Sequence, residues 1–248
     1  MLLKSPAEIE VMREAGRITA SALRVVGEAV VPGVTTAQLD EIAAEHIRKE
    51  GGKPAFLGYR GFPATLCVSV NDEVVHGIPG KRRLREGDIV SVDCGVVVDG
   101  YYGDAAMTFP VGQVSDEARR LMDVTRDALD AAIARCRPGM RLGDVGNAVQ
   151  TVVERAGFSV VREYVGHGIG RSMHEEPQVP NFGRAGTGVT LKPGTVLAIE
   201  PMVNAGGYAV RSLDDGWTVV TADGSLSAHF EHTVAITEDG PSILTLER

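Results

Sequence analysis

The chain has 248 residues, 44% of them hydrophobic, and carries a formal net charge of −8. That length suits one large domain or two small ones, and 30 glycines with 12 prolines call for many turns rather than disorder. The acidic balance argues against DNA or broad nucleic-acid binding, while Cys67, Cys94 and Cys136, odd in number and without CxxC spacing, imply no disulfide framework and favour a reducing compartment. No apolar run approaches the ~20 residues of a membrane span, and MLLKSPAEIEVMREAG lacks the apolar core of a signal peptide. A cytoplasmic protein without a membrane partner is expected.

Ser5 reads as an N-cap, with Pro6 at the first helical position and Glu8 closing a capping box before Ile9, Met12, Ala15 and Ile18. This helix should run to about Glu28. Thr35 with Gln38 opens a second helix that stops near Gly51-Gly52. Residues 53–64 are loop-like, with Phe56, Tyr59 and Phe62 among Gly58, Gly61 and Pro63, a composition that covers a pocket more often than it fills a core. Residues 65–70 alternate as a strand, and Asn71-Asp72 turns the chain towards Val74-Val75-His76. The basic run Lys81-Arg82-Arg83 with Arg85 fits a solvated turn, and a ribosome contact is its other reading.

The stretch from Leu84 to Phe109 organises the chain. Residues 89–92 read as a buried strand, Val96 to Asp99-Gly100 as a tight turn, and Ala105, Met107 and Phe109 as the returning strand, so Asp93 and Asp104 face each other across a hairpin. Two facing carboxylates require a cation or a shared proton. Further ligands come from a second copy of the pattern. Residues 191–200, ending in Glu200, match residues 84–93, ending in Asp93, at an offset of 107, and Glu231 opens a strand as Asp104 does. Pro32-Gly33 and Pro138-Gly139 each precede an amphipathic run, and His76-Gly77-Ile78 has a partner in His167-Gly168-Ile169. The economical reading is one domain, residues 1–248, of two pseudo-symmetric α/β halves, roughly 1–112 and 113–248, whose acid pairs meet at the centre.

In the second half, Ser115 with Asp116 and Glu117 starts a long helix, the helix of the second Pro-Gly unit follows, residues 158–164 read as a strand, and residues 165–180 as a site-forming loop. Asp93, Asp104, Glu200 and Glu231 with one imidazole from His167 form an oxygen-rich, hard ligand set. It disfavours cysteine-type zinc and suits a pair of Mn, Fe or Co ions, close enough for two acids to bridge.

The ordered set Asp93, Asp104, His167, Glu200, Glu231, together with Gly166-His167-Gly168-Ile169-Gly170 and Ile199-Glu200-Pro201-Met202, resembles the type I methionine aminopeptidases over essentially the whole chain. The resemblance implies the pita-bread fold, an α/β (α+β) architecture with two pseudo-symmetric halves around a dinuclear metal site. It implies removal of the N-terminal methionine of nascent peptides, by hydroxide attack at two divalent ions (Co, Mn or Fe, with Zn or Ni also accommodated). Asp93 would ligate one ion and His167 with Glu200 the other, Asp104 and Glu231 would bridge, and Glu200 would also be the general base. His76 and His174 fall where the family contacts the scissile amide and its oxyanion. Phe56, Tyr59, Phe62, Cys67, Met173 and Trp217 match the methionine pocket, with Phe62 where tyrosine is common, Met173 where an aromatic is common, and Phe56 where some relatives have cysteine. His46, His229 and His232 read as ordinary structural histidines. The architecture suggests a monomer. The alternatives are a proline-directed aminopeptidase or dipeptidase of the same fold, disfavoured by the lack of an added N-terminal domain, and a pita-bread binding module without metals, disfavoured by the complete ligand set.

Overall fold

The computed structural model describes residues 2–247. Two helix pairs cover a strongly curved antiparallel sheet. In the first pair, α1 (Pro6–Ala29) starts from the Ser5–Glu8 capping box and α2 (Thr36–Lys49) from the Thr35–Gln38 box, both as their sequences require. In the second, α3 (Asp116–Ile133) is capped by the Ser115 hydroxyl, and α4 (Leu142–Arg155) follows after Pro138-Gly139. Before α2 and α4 the chain turns at Gly33 (φ 94°) and Gly139 (φ 86°), left-handed conformations that favour glycine. The same backbone hydrogen bonds recur around each: Gly33 N–H donates to Leu84 O and Leu84 N–H to Val34 O, while Gly139 N–H donates to Leu191 O and Leu191 N–H to Met140 O.

The strands in chain order are β1 (Lys53–Pro54), β2 (Leu66–Val70), β3 (Glu73–Val75), β4 (Ile89–Val98), β5 (Tyr101–Pro110), β6 (Ser159–Val160), β7 (Gly166–Gly168), β8 (Glu175–Val179), β9 (Val196–Ile199), β10 (Met202–Asn204), β11 (Val210–Ser212), β12 (Val219–Thr221), β13 (Ser227–His229), β14 (Glu231–Thr237) and β15 (Gly240–Ile243). The main sheet runs β1-β4-β5-β14-β9-β7-β8, with β2 added to β4 and β15 to β14. β13-β10-β6 and β11-β12-β3 form two small sheets.

The sequence expectations meet three departures. The turn between β4 and β5 is the dipeptide Asp99-Gly100, both with positive φ, so β4 extends through Val98, past the expected turn start at Val96. This is the backbone that joins antiparallel strands without splaying them. The expected strand over residues 158–164 is only Ser159–Val160; at Arg162 the chain has left the sheet and its guanidinium lies over the Tyr208 ring at 4.4 Å. Residues 165–180, expected as loop, contain β7 and β8. Glycine makes that possible: a Cβ at Gly166 would meet Ala198 O at 2.4 Å, and one at Gly168 would meet Glu176 O at 2.5 Å. Only bare backbone lets β7 fit between β9 and β8.

One core packs Leu121, Leu129, Val145 and Val149 of the second helix pair on Leu197, Ile199 and Val234. A second packs Ile18, Leu23, Val26 and Leu39 of the first pair on Val68, Val90 and Val92. Burial of such faces, at roughly 25 cal/mol per Å², fixes the sheet between them and leaves its inner face for polar groups.

Candidate active site

Sheet order and register bring the five expected ligands together. β4 carries Asp93, β5 carries Asp104, β14 carries Glu231, Glu200 follows the last residue of β9, and β7 carries His167; these strands are neighbours in that sequence. Asp93 and Glu231 both stand opposite Ala106, Asp104 stands opposite Gly95, and His167 stands opposite Ala198. His232 opposite Ile199 sets Glu231 beside Glu200. With a side-chain period of two, all five project from one face. Asp93 and Asp104 are thus diagonal neighbours.

Asp104, His167 and Glu231 are buried and offer donor atoms within 4.8 Å of one another. Asp93 and Glu200 are less buried and form the wall beside them. Burial pushes the Asp104 carboxyl up to about 7, while its hydrogen bond with Asp93 pulls the other way. Asp93, Glu200 and Glu231 are also pushed well up, by burial first and then by the other acids. Asp93 Oδ1, Asp104 Oδ1 and Glu231 Oε1 are buried without a hydrogen-bond partner. Clustered buried carboxylates with unmatched oxygens are unfavourable unless protons or cations neutralise them.

His167 completes the fit. Its Nδ1–H donates to Gly168 O at 2.9 Å, which leaves the Nε2 lone pair facing Glu200 Oε1 at 3.6 Å and Asp104 Oδ2 at 3.8 Å. Burial, reinforced by the nearby His174, holds its pKa down to about 4, so the ring is neutral at pH 7. An imidazole oriented through one nitrogen with the other free is the form that binds metals. The donor set and its orphaned oxygens therefore fit divalent ions.

The cluster floors a cavity of about 150 Å³, a size that admits a benzene-sized group. Phe56, Tyr59, Phe62, Cys67, His76, His174 and Trp217 line it together with the five expected ligands. Phe62 meets the Trp217 ring edge to face at 5.0 Å. The Cys67 thiol is held protonated by burial and then by Asp93, which suits an apolar wall rather than a nucleophile. Met173, expected in the pocket, is not in its lining. It lies behind the wall, 1% exposed, where its Cε and Phe56 Cε1 crowd the space at Gly95. Arg60, which sequence reasoning passed over, does line the cavity and lies over the Tyr59 ring at 5.4 Å.

His76 has a left-handed backbone (φ 60°), a conformation that for a non-glycine residue stores strain and recurs at functional sites. The following Gly77 fixes it there. Gly77 O accepts from Val68 N–H, Gly77 N–H donates to Ser69 Oγ, and a Cβ would meet Val68 O at 2.2 Å. The His76 ring packs edge to face on Tyr164 and Trp217, and burial holds its pKa down to about 4. His174 stands at the solvent-open mouth, Nδ1 hydrogen-bonded with the Tyr59 hydroxyl at 2.8 Å; desolvation and the Arg60 charge lower its pKa.

Among the histidines read as structural, His46 is satisfied by Ser21 Oγ at 2.8 Å and His232 by Thr245 Oγ1 at 2.8 Å. His229 lies against the site. It is fully buried, with Nε2 3.8 Å from Glu200 Oε2. Sequence offered no signal for this beyond its place two residues before Glu231.

Comparison with known proteins decides the family. The model of metallopeptidase family M24 matches residues 10–238. The chain belongs to metallopeptidase family M24. Within the family, it is 56% identical to a methionine aminopeptidase of Clostridium perfringens, covering 99% of both chains. The solved methionine aminopeptidase of Thermotoga maritima superposes with a TM-score of 0.98 at 52% identity, again over 99% of each chain. A prolidase of Pyrococcus horikoshii, matched at TM-score 0.79 and 20% identity over 99% of this chain and 64% of its own, shares the fold alone. The M24 pita-bread fold is thus the fold of this chain, and the M24 protein is a metal-dependent hydrolase of the aminopeptidase type.

Proposed function

We propose that this M24 protein removes the first methionine from peptides that carry a free α-amino group. The observation that carries the reading is a set of five hard donors on one sheet face, beside an apolar cavity of about 150 Å³. An unbranched, polarizable thioether suits a wall of Phe56, Phe62, Cys67 and Trp217. The names of its relatives at about half identity agree.

Two divalent ions, from Mn, Fe, Co, Zn or Ni, held by Asp93, Asp104, His167, Glu200 and Glu231 would supply Lewis-acid chemistry, polarising the scissile carbonyl and acidifying water. The strand order supports a division with Asp93 at one side, His167 and Glu200 at the other, and Asp104 and Glu231 between. Glu200, at the cavity wall with its carboxyl pushed up, accepts a proton from water and returns it to the leaving amine. We read the Tyr59 hydroxyl as the donor in its hydrogen bond with His174 Nδ1, which makes His174 Nε2–H the donor offered to the developing oxyanion. His76, neutral and fixed against Trp217, contacts the scissile amide.

The chain is read as one catalytic domain of two halves, a monomer acting on nascent chains in the cytoplasm. Three buried, unpaired cysteines support a reducing compartment, and among the described residues no helix is long and apolar enough to cross a membrane. In the basic run, Arg82 pairs with Glu73 at 2.8 Å and Arg83 donates to Gly33 O at 2.7 Å, so the ribosome-contact reading rests on the exposed Lys81 and Arg85.

The test is turnover by metal-stripped protein, with and without Mn, Fe or Co, on Met-Ala-Ser, its N-acetylated form and Ala-Pro-Ala. Metal-dependent release of methionine from the first peptide alone is expected. Cleavage of only Ala-Pro-Ala, or no turnover by folded protein under any metal, would defeat the assignment.

A further inference from the structure

His229 closes β13, whose pairing with β10 sets it opposite Met202, two residues beyond Glu200. Thr108 clamps its backbone from both sides: His229 N–H donates to Thr108 Oγ1 at 2.9 Å, and the same hydroxyl donates to His229 O at 2.8 Å. The ring is 1% exposed, and Nε2 is buried without a hydrogen-bond partner. Leaving such a group unmatched costs on the order of 1–3 kcal/mol. What Nε2 faces is Glu200 Oε2, at 3.8 Å.

The other Glu200 oxygen, Oε1, stands 3.6 Å from His167 Nε2. The carboxylate is therefore bracketed by two imidazole nitrogens, one for each oxygen. They differ in what they offer. His167 gives its proton to Gly168 O and presents a lone pair, whereas Glu200, ionised as a metal ligand and then an acceptor only, is matched at Oε2 by a ring N–H. The Glu200 backbone is held separately, by Asn181 Nδ2 donating to its carbonyl at 3.0 Å. That bond fixes the main chain and leaves the direction of the carboxylate to its side-chain neighbours.

We propose that His229 is a positioning residue for Glu200, its Nε2–H facing Oε2 and keeping Oε1 turned towards His167 and the acid cluster. This rests on the reading of Glu200 as metal ligand and proton acceptor. Groups that orient a ligand in this way are typically worth 10- to 100-fold in metal affinity or activity. A residue that merely filled space would be replaceable by an apolar side chain of similar bulk.

The test compares His229→Leu, which keeps bulk without a donor, with His229→Gln, which restores an N–H donor. Fold is checked by circular dichroism and thermal unfolding, Mn²⁺ affinity by calorimetry, and kcat and KM on Met-Ala-Ser. Expected are a 10- to 100-fold loss of Mn²⁺ affinity and of kcat in His229→Leu with KM moved about threefold or less, and recovery to within about threefold of wild type in His229→Gln. Full affinity and turnover in folded His229→Leu, or equal losses in both folded variants, would overturn the proposal. Imidazole ¹⁵N spectra of the wild-type protein, assigned by the signal missing from His229→Gln, give a readout independent of folding in the leucine variant: the Nε2–H tautomer is expected, and the Nδ1–H tautomer would overturn it. Wild-type protein that binds no Mn²⁺ would instead defeat the reading of Glu200 itself, and this proposal with it.

Discussion

At Asp104, burial pushes the carboxyl up from 3.8 to about 7 in the metal-free protein. A folded-state pKa above the unfolded value means that the group favours folding fully below pH 3.8, a contribution lost as pH rises through about 7. His76 and His167, held down to about 4, act in the opposite sense, their contribution being lost as pH falls from 6.5 through about 4. The Asp104→Asn change isolates the first effect, because amide and protonated acid are close in shape. Without metal, the variant should melt above wild type at pH 8, by about 3 °C for each ~1 kcal/mol relieved, and match it at pH 4; calorimetric scans at both pH values check this, and a pH-independent difference would refute it. Tyr59→Phe keeps the aromatic wall and removes the hydroxyl bound to His174. Loss of one hydrogen bond of about 1 kcal/mol predicts kcat down about fivefold with KM nearly unchanged, read by steady-state kinetics on Met-Ala-Ser.

At the scale of elements, the segment that carries His174 is held from outside the site. Glu175 Oε1 accepts from Arg171 N–H and Ser172 N–H, and Glu175 Oε2 pairs with Lys4 Nζ at 2.5 Å, both side chains almost wholly buried. Gly170 makes room, since a Cβ there would meet Lys4 Cε at 2.3 Å. Removing one partner of a buried pair strands the other charge, so Lys4→Ala should cost about 3–5 kcal/mol, measured by urea unfolding. Because Glu175 then loses its anchor, kcat should fall with it although Lys4 is absent from the cavity lining; unchanged kcat in folded variant would separate this anchor from the site. Element starts were legible where their signals are local. Both capping boxes and the Asp99-Gly100 turn are short-range hydrogen bonding and backbone geometry, and they form where the sequence places them. β7 and β8 were not legible, because glycine and histidine in residues 166–174 signal a loop until the neighbouring backbones that require bare glycine are known.

Over the whole molecule, the site is a place where folding gathers like charges, and a bound cation reverses that cost. Ligands that bind only the folded state stabilise it by mass action, about 2.7 kcal/mol at a hundredfold excess over Kd. For a chain of 248 residues, that corresponds to a rise in Tm of about 5–11 °C. Because Asp104 must lose its proton to ligate, and does so around pH 7, Mn²⁺ should raise Tm far more at pH 7.5 than at pH 5. Differential scanning fluorimetry at fixed Mn²⁺ checks this, and an equal gain at both pH values would count against the acid cluster as the metal centre.

The sequence by itself determined the helices, the central hairpin and the set of four acids and one histidine proposed as ligands, because strand alternation, capping and a repeated pattern of apolar residues ending in an acid are written along the chain. It also supplied most of the cavity lining. Tertiary structure alone decided three things: that Met173 lies behind the wall, that Arg60 reaches the cavity, and that His229 faces Glu200 rather than the core at large. The first two depend on segments outside the strands, and the third on register between strands far apart in the chain, through the Thr108–His229 hydrogen bonds across 121 residues. A buried histidine looks the same in sequence whether its free nitrogen meets a carboxylate or a methyl group. Only the closing of the sheet sets which it is.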